Sequence, residues 1–125
     1  VQPSSILFYW RGQIREQLND RDGAEADFRS AMGVDDVRDV QMKTVRPRMG
    51  LCRLAMAQGD MEAAIAHANH ALDVNPKDPE VITASLALSQ ITGGNEAARA
   101  LARDYERLFG PSELVTRTLK GLGIR

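Results

Sequence analysis

The chain has 125 residues, enough for one domain, with 43% apolar and 26% charged residues, the balance of an ordinary globular protein. A net charge of -1 and a pI near 6.1 give no global basic field to gather nucleic acid or anionic lipid. The single Cys52 excludes an intrachain disulfide framework, and no apolar run approaches the roughly 18 residues that span a bilayer. Aromatics are only 5%, and Ala supplies much of the apolar content. Such a core implies closely packed helices rather than a thick sandwich or barrel. Val1 opens the chain without Met or a signal-type apolar stretch, which reads as a segment of a longer polypeptide. The compartment, cytoplasmic or periplasmic, stays open.

Pro3-Ser4-Ser5 supplies a helix start, and helix one is predicted from about Ser5 to Leu18, with Leu7, Phe8, Trp10, Ile14 and Leu18 apolar. Asn19 to Asp22 is a polar turn. Helix two covers about Asp22 to Met32, with Ala24, Phe28 and Ala31 on one face and Gly33 suited to a left-handed end. From Val34 to Val45 the signal is mixed: either a short extra turn precedes a fresh start near Pro47, or one long helix kinks there. Helix three reaches Gln58, with Leu51, Cys52, Leu54 and Ala55 inward. Gly59-Asp60 then opens helix four, about Met61 to Val74, and Asn75-Pro76 closes it. Helix five runs from about Pro79 to Ile91, Gly93-Gly94 breaks it, and helix six covers Asn95 to Phe109. A last helix spans Pro111 to about Lys120.

The spacing of small residues decides the architecture. Ala64, Ala68 and Ala71 recur later in the chain, at the same internal spacing, as Ala98, Ala102 and Tyr105. They recur earlier as Ala24, Phe28 and Ala31, at a longer offset that exposes an insertion between the first two copies. Each set lies on the second helix of a pair, after a turn containing Gly or Asn and Asp. With Phe8 to Gly12, Leu51-Cys52, Ala55 and the closing Pro76, this pattern resembles the tetratricopeptide repeat family, whose period is about 34 residues. The resemblance implies an all-α solenoid of antiparallel helix pairs, a right-handed superhelix of about seven helices in one domain over 1–125. Repeat one would cover about 5–36, an insertion about 33–45, repeat two about 45–78, repeat three about 79–110, and a solvating cap about 111–122. Arg11 in place of the usual Leu, Ser85, Ser89 and the large Tyr105 depart from the pattern.

No catalytic constellation assembles. His67 and His70 share a helix, but Asp73 is the nearest third ligand and metal sites need three or four. Cys52 falls at a small-residue contact without a facing base. Gly93-Gly94-Asn95 lacks the spacing and Lys of a phosphate loop. Asp20/Asp22 and Asp35/Asp36 read as helix caps. Lys43, Arg46, Arg48 and Arg53 form the one basic cluster, without the aromatics that stack bases, so no nucleic acid is expected. No metal or cofactor is expected either.

In the family, the first helices of successive pairs line a concave groove that takes a peptide. The resemblance maps this face onto Ile6, Tyr9, Gln13, Glu16 and Gln17; Arg46, Met49, Arg53, Met56 and Ala57; and Glu80, Thr83, Ala87, Gln90 and Ile91. The expected contacts are Tyr9, Gln13, Gln17, Arg46, Met49, Arg53, Met56 and Gln90, with Met49 and Met56 open to packing against the next repeat instead. The carboxylate clamp of the chaperone-binding members is missing, since Tyr9, Gln13, Gly50, Glu80 and Ala84 stand in its places. The sequence therefore reads as a non-catalytic protein–protein interaction module. The alternative is a scaffold or regulatory domain of a larger enzyme or of a bacterial secretion, export or assembly machine. Leu7, Phe8 and Trp10 also offer a face for homo-oligomer formation through the first helix.

Overall fold

The computed structural model describes residues 4–33 and 45–125, all helix and turn among those residues. The fold is all-α, and every helix start but one is fixed by a neighbouring polar side chain. Ser4 accepts from the Leu7 N–H ahead of α1 (Ser5–Gln17). Asp20 accepts from the Gly23 N–H at 3.0 Å in the first turn of α2 (Arg21–Gly33). Asp60 caps α4 (Met61–Val74) through Ala63 N–H at 3.1 Å, and Asp78 caps α5 (Pro79–Phe109) through Val81 N–H at 3.2 Å. Ser112 does the same for α6 (Glu113–Gly121). These acceptors satisfy N–H groups that the helix cannot pair internally. The exception is α3 (Arg46–Ala57), which follows Val45 with no side-chain cap and carries Pro47 in its first turn, where a missing N–H costs nothing.

Two compact units emerge, Val1–Asn75 and Pro76–Arg125. In the first, α1 packs on α2, α3 packs on α4, and α3 also meets α2 and α1. The turns closing the two pairs both use a left-handed residue, Asn19 at φ 62° and Gly59 at φ 79°. Asn19 and Gly59 are separated by the same offset that relates Ala24 to Ala64 in the small-residue stripe.

The core of this unit is built around Phe28. Its ring is fully buried and lies 5.9 Å from the buried Tyr9 ring, with Ala24, Ala31, Leu51 and Leu54 around it. Gly12 of α1 and Gly50 of α3 approach the same ring from two helices. A Cβ added at Gly12 would stand 2.8 Å from Phe28 Cε1, and one at Gly50 2.6 Å from Cε2 and Cζ. The aromatic ring fits because both helices present bare backbone to it.

The second unit contains α5 and α6. At Gly94 the backbone leaves helical geometry (φ 75°, ψ -175°), so α5 consists of two arms, 79–93 and 95–109. This is the break expected at Gly93-Gly94. Val81, Ile82, Leu86, Leu88, Ala98, Ala102, Val115 and Ile124 are buried. Gln90 Nε2 donates to Leu122 O at 2.9 Å and to Asn95 Oδ1 at 3.0 Å, fastening the segment after α6 to α5.

Several expected details shift. The first residue of α2 is Arg21, and Gly33 ends it inside the helix rather than in the left-handed region. The last helix starts at Glu113, where Ser112 supplies the cap, not at Pro111. The expected turn or kink between Val34 and Val45 lies outside the described residues, apart from Val45 itself.

The wedge predicts an unusual substitution result. Ala at position 50 gains about 1 kcal/mol of helix propensity over Gly, whereas overpacking a filled core costs about 1–3 kcal/mol. Phe28 has no open side to move into, so the second term wins. Gly50→Ala is expected to lower the urea midpoint, and a rise would contradict the packing described.

Candidate functional site

The first helices of the two pairs, α1 and α3, lie in contact, and a bidentate ion pair bridges them. Arg53 Nε donates to Glu16 Oε2 at 3.1 Å and Nη2 donates to Oε1 at 3.0 Å. Both side chains are partly covered, at 35% and 25% exposure, and the planar fork fixes the spacing of the two helices. Helical spacing sets Gln13 beside Glu16 and Gln17 beside Gln13 on α1, and Met56 beside Arg53 on α3. Gln17 is exposed, while Gln13, Arg46 and Met56 are half-buried.

Besides Arg53, three of the expected groove residues have structural work. Tyr9 is a core side chain whose hydroxyl accepts from Gln13 Nε2 at 2.8 Å. Met49 is fully buried, so the packing reading applies to it. Gln90 is engaged with Leu122 and Asn95 in the second unit. Periodicity identifies a face but not how deeply it is covered, and Tyr9 and Met49 sit at its buried edge.

A charged cluster that sequence reasoning missed lies on the opposite side of α1. Asp27 of α2 is buried, yet its carboxylate accepts from Arg11 Nε at 3.0 Å, Arg11 Nη2 at 2.8 Å and Arg15 Nη1 at 3.1 Å. Hydrogen bonding to Asp27, and then its charge, raises the Arg11 pKa. The signal was present: Arg11 replaces an expected Leu, and an acid stands on the helix packed against it. This cluster holds α1 to α2.

The second pair carries a cleft of about 90 Å³ lined by Glu25 and Arg29 of α2, Leu51, Leu54, Ala55 and Gln58 of α3, and Asp60, Ala63 and His67 of α4. Arg48 Nη1 lies 3.5 Å from His67 Nδ1. Burial, and then the charge of Arg29, lowers the Arg48 pKa. His67 is also lowered, first by burial, then by Arg48, Arg29 and His70, with Glu25 opposing.

Among the described residues no group of three or more His, Cys, Asp or Glu could hold a metal ion. Cys52 is buried, as a small hydrophobe at that contact would be. No described helix is long and apolar enough to cross a membrane.

Comparison with known proteins agrees with this geometry. The tetratricopeptide repeat family profile matches residues 7–37 and 51–78, the two helix pairs of the first unit. The structure is similar to the C-terminal tetratricopeptide-repeat-containing domain of an FK506-binding protein from Plasmodium falciparum, with a TM-score of 0.67 at 15% identity. That match covers 94% of this chain and 84% of the other. No curated protein matches this chain in sequence. The chain belongs to the tetratricopeptide repeat family, and its fold is an α-solenoid of that type.

The His67 environment has a pH consequence. Its folded pKa lies below the ordinary 6.5, so on acidification the unfolded chain takes up this proton first. The contribution of His67 to stability is therefore complete above pH 6.5 and is lost as pH falls through the depressed folded value. Urea midpoints should decline over that window, before the carboxylates titrate near about pH 4. His67→Gln should flatten that decline, and an equally steep profile in the variant would show that His67 is not its cause.

Proposed function

We propose that the chain is a non-catalytic protein–protein interaction module that takes a peptide or partner segment along the face shared by α1 and α3. The observation that carries this is the pair of repeat hairpins whose first helices stand side by side, locked by Arg53 and Glu16. The family's repeats mediate protein–protein contact, and this face offers Gln13 and Gln17 amides, the adaptable Met56 thioether and the rim of a charged pair. Arg46 and Ala57 extend it. Tyr9 and Met49 support the face from within, so their substitution tests folding rather than binding.

The test is a selection of peptides from a displayed library, followed by chemical-shift mapping on the chain. Selected peptides are expected to perturb Gln13, Gln17, Arg53 and Met56, and Met56→Glu should weaken them at least tenfold with the melting temperature little changed. Peptides that map only to α2 and α4 would overturn the reading.

A second reading concerns self-association, favoured by one observation. Leu7, Trp10 and Ile14 of α1 and Leu18 just after it form an outward stripe, with exposures of 54%, 52%, 58% and 73%. Shifted by the offset that carries Ala24 onto Ala64, the first three correspond to Pro47, Gly50 and Leu54, all buried on α3 beneath the preceding pair. The outer face of α1 thus repeats a surface that is covered elsewhere in the same fold. We propose that a second copy of the chain covers it. Sedimentation should show a concentration-dependent dimer that Trp10→Lys dissociates, and a monomer at every concentration would end this reading.

A further inference from the structure

The same offset sets Arg11, Arg15 and Asp27 of the first pair against Leu51, Ala55 and His67 of the second. In the first pair the chain provides its own anion: the Asp27 carboxylate fills the space between two guanidinium groups. In the second pair the two Arg registers hold Leu51 and Ala55, and the carboxylate register holds an imidazole. All three line the cleft of about 90 Å³. Arg29 lines the cleft, and Arg48, outside its lining, lies 3.5 Å from the His67 ring that borders it. Arg48 stands at the register of Phe8, a partly buried hydrophobe packed against the first core. It is half-buried itself, and among the described residues no carboxylate pairs with it. The two acids near the cleft are already committed, Glu25 to Arg29 and Asp60 to the Ala63 N–H. A half-buried guanidinium without a counter-ion is an energetic cost that an external anion would relieve.

We propose that the cleft between α2, α3 and α4 binds a carboxylate-bearing side chain of a peptide, with Arg48 beside His67 and Arg29, shared with Glu25, as its cations and Leu51, Leu54, Ala55 and Ala63 as an apolar floor. The ligand supplies the carboxylate that the second pair lacks, next to the imidazole that stands at the Asp27 register. His67 sits beside it, faced by Arg48 on α3, Arg29 and Glu25 on α2, and His70 and Asp60 on its own helix and cap. A bound carboxylate offsets the two arginine charges and raises the His67 titration midpoint. By reciprocity, binding tightens as pH falls through that midpoint. These residues are separate from Gln13, Gln17, Arg53 and Met56, so this site and the α1–α3 face stand or fall independently.

The experiment titrates the chain with acetyl-Ala-Glu-Ala-amide, its Gln counterpart and inorganic phosphate, each to tens of millimolar, while following the His67 ring signals and their midpoint. The Glu peptide is expected to move the signals and raise the midpoint, and the Gln peptide to do neither. Arg48→Gln and, separately, the more exposed Arg29→Gln should each abolish the response, with circular dichroism confirming that both variants remain helical. Equal responses to the Glu and Gln peptides, no response to any probe, or phosphate acting as strongly as the Glu peptide would overturn the proposal. Persistence of the effect in both folded variants would also overturn it.

Discussion

The contact on which the first unit depends is the Phe28 ring held between Gly12 and Gly50. Each glycine belongs to a different helix, and neither could carry a methyl group without moving the ring. One side chain on α2 therefore sets the approach of both α1 and α3, and through them the spacing across which Arg53 reaches Glu16. The proposed binding face inherits its geometry from an interaction beneath it. The ion pair adds direction and the packing adds most of the energy, because partly exposed pairs contribute little while a buried aromatic contributes several kcal/mol.

The two pairs solve the same problem with different side chains. Where the first has Phe28 with Gly12, the second has Ala68 with Cys52 at the corresponding registers, all four buried. The second pair keeps both registers small, with a thiol where the first pair has bare backbone. The polar registers differ in a parallel way. Arg11 and Asp27 complete one another in the first pair, whereas Leu51 and His67 leave a cleft in the second, with Arg48 beside it. Repetition here makes departures readable, because each register has an internal control in the other pair.

The arrangement of helices was legible from the sequence because small residues and left-handed turn positions are strict requirements. Ala24, Ala31, Ala64, Ala68 and Ala71 are buried as their spacing required, and Asn19 and Gly59 hold matching positive φ angles. Helix ends moved by one or two positions, since a cap such as Ser112 competes with a neighbouring Pro111 for the first turn. The site was less legible. Helical periodicity separates faces, but it does not say that Tyr9 and Met49 lie beneath the surface while Gln17 lies on it. Nor could it show that Arg11 and Arg15 converge on Asp27, because that depends on where the facing helix lies.

Gly94 carries a different kind of consequence. A single non-helical residue separates two arms that otherwise continue the same α-helix from Pro79 to Phe109. Its φ of 75° is open to glycine and strained for other residues. Replacing it would therefore favour helical dihedrals through the junction and a straight rod about 46 Å long, from 31 residues at 1.5 Å each. The buried faces of the arms, Ile82 and Leu86 on one and Ala98 and Ala102 on the other, would be carried apart. In that sense this glycine governs shape: one residue's backbone angle decides whether a single run of helical sequence presents two differently directed arms or one rod.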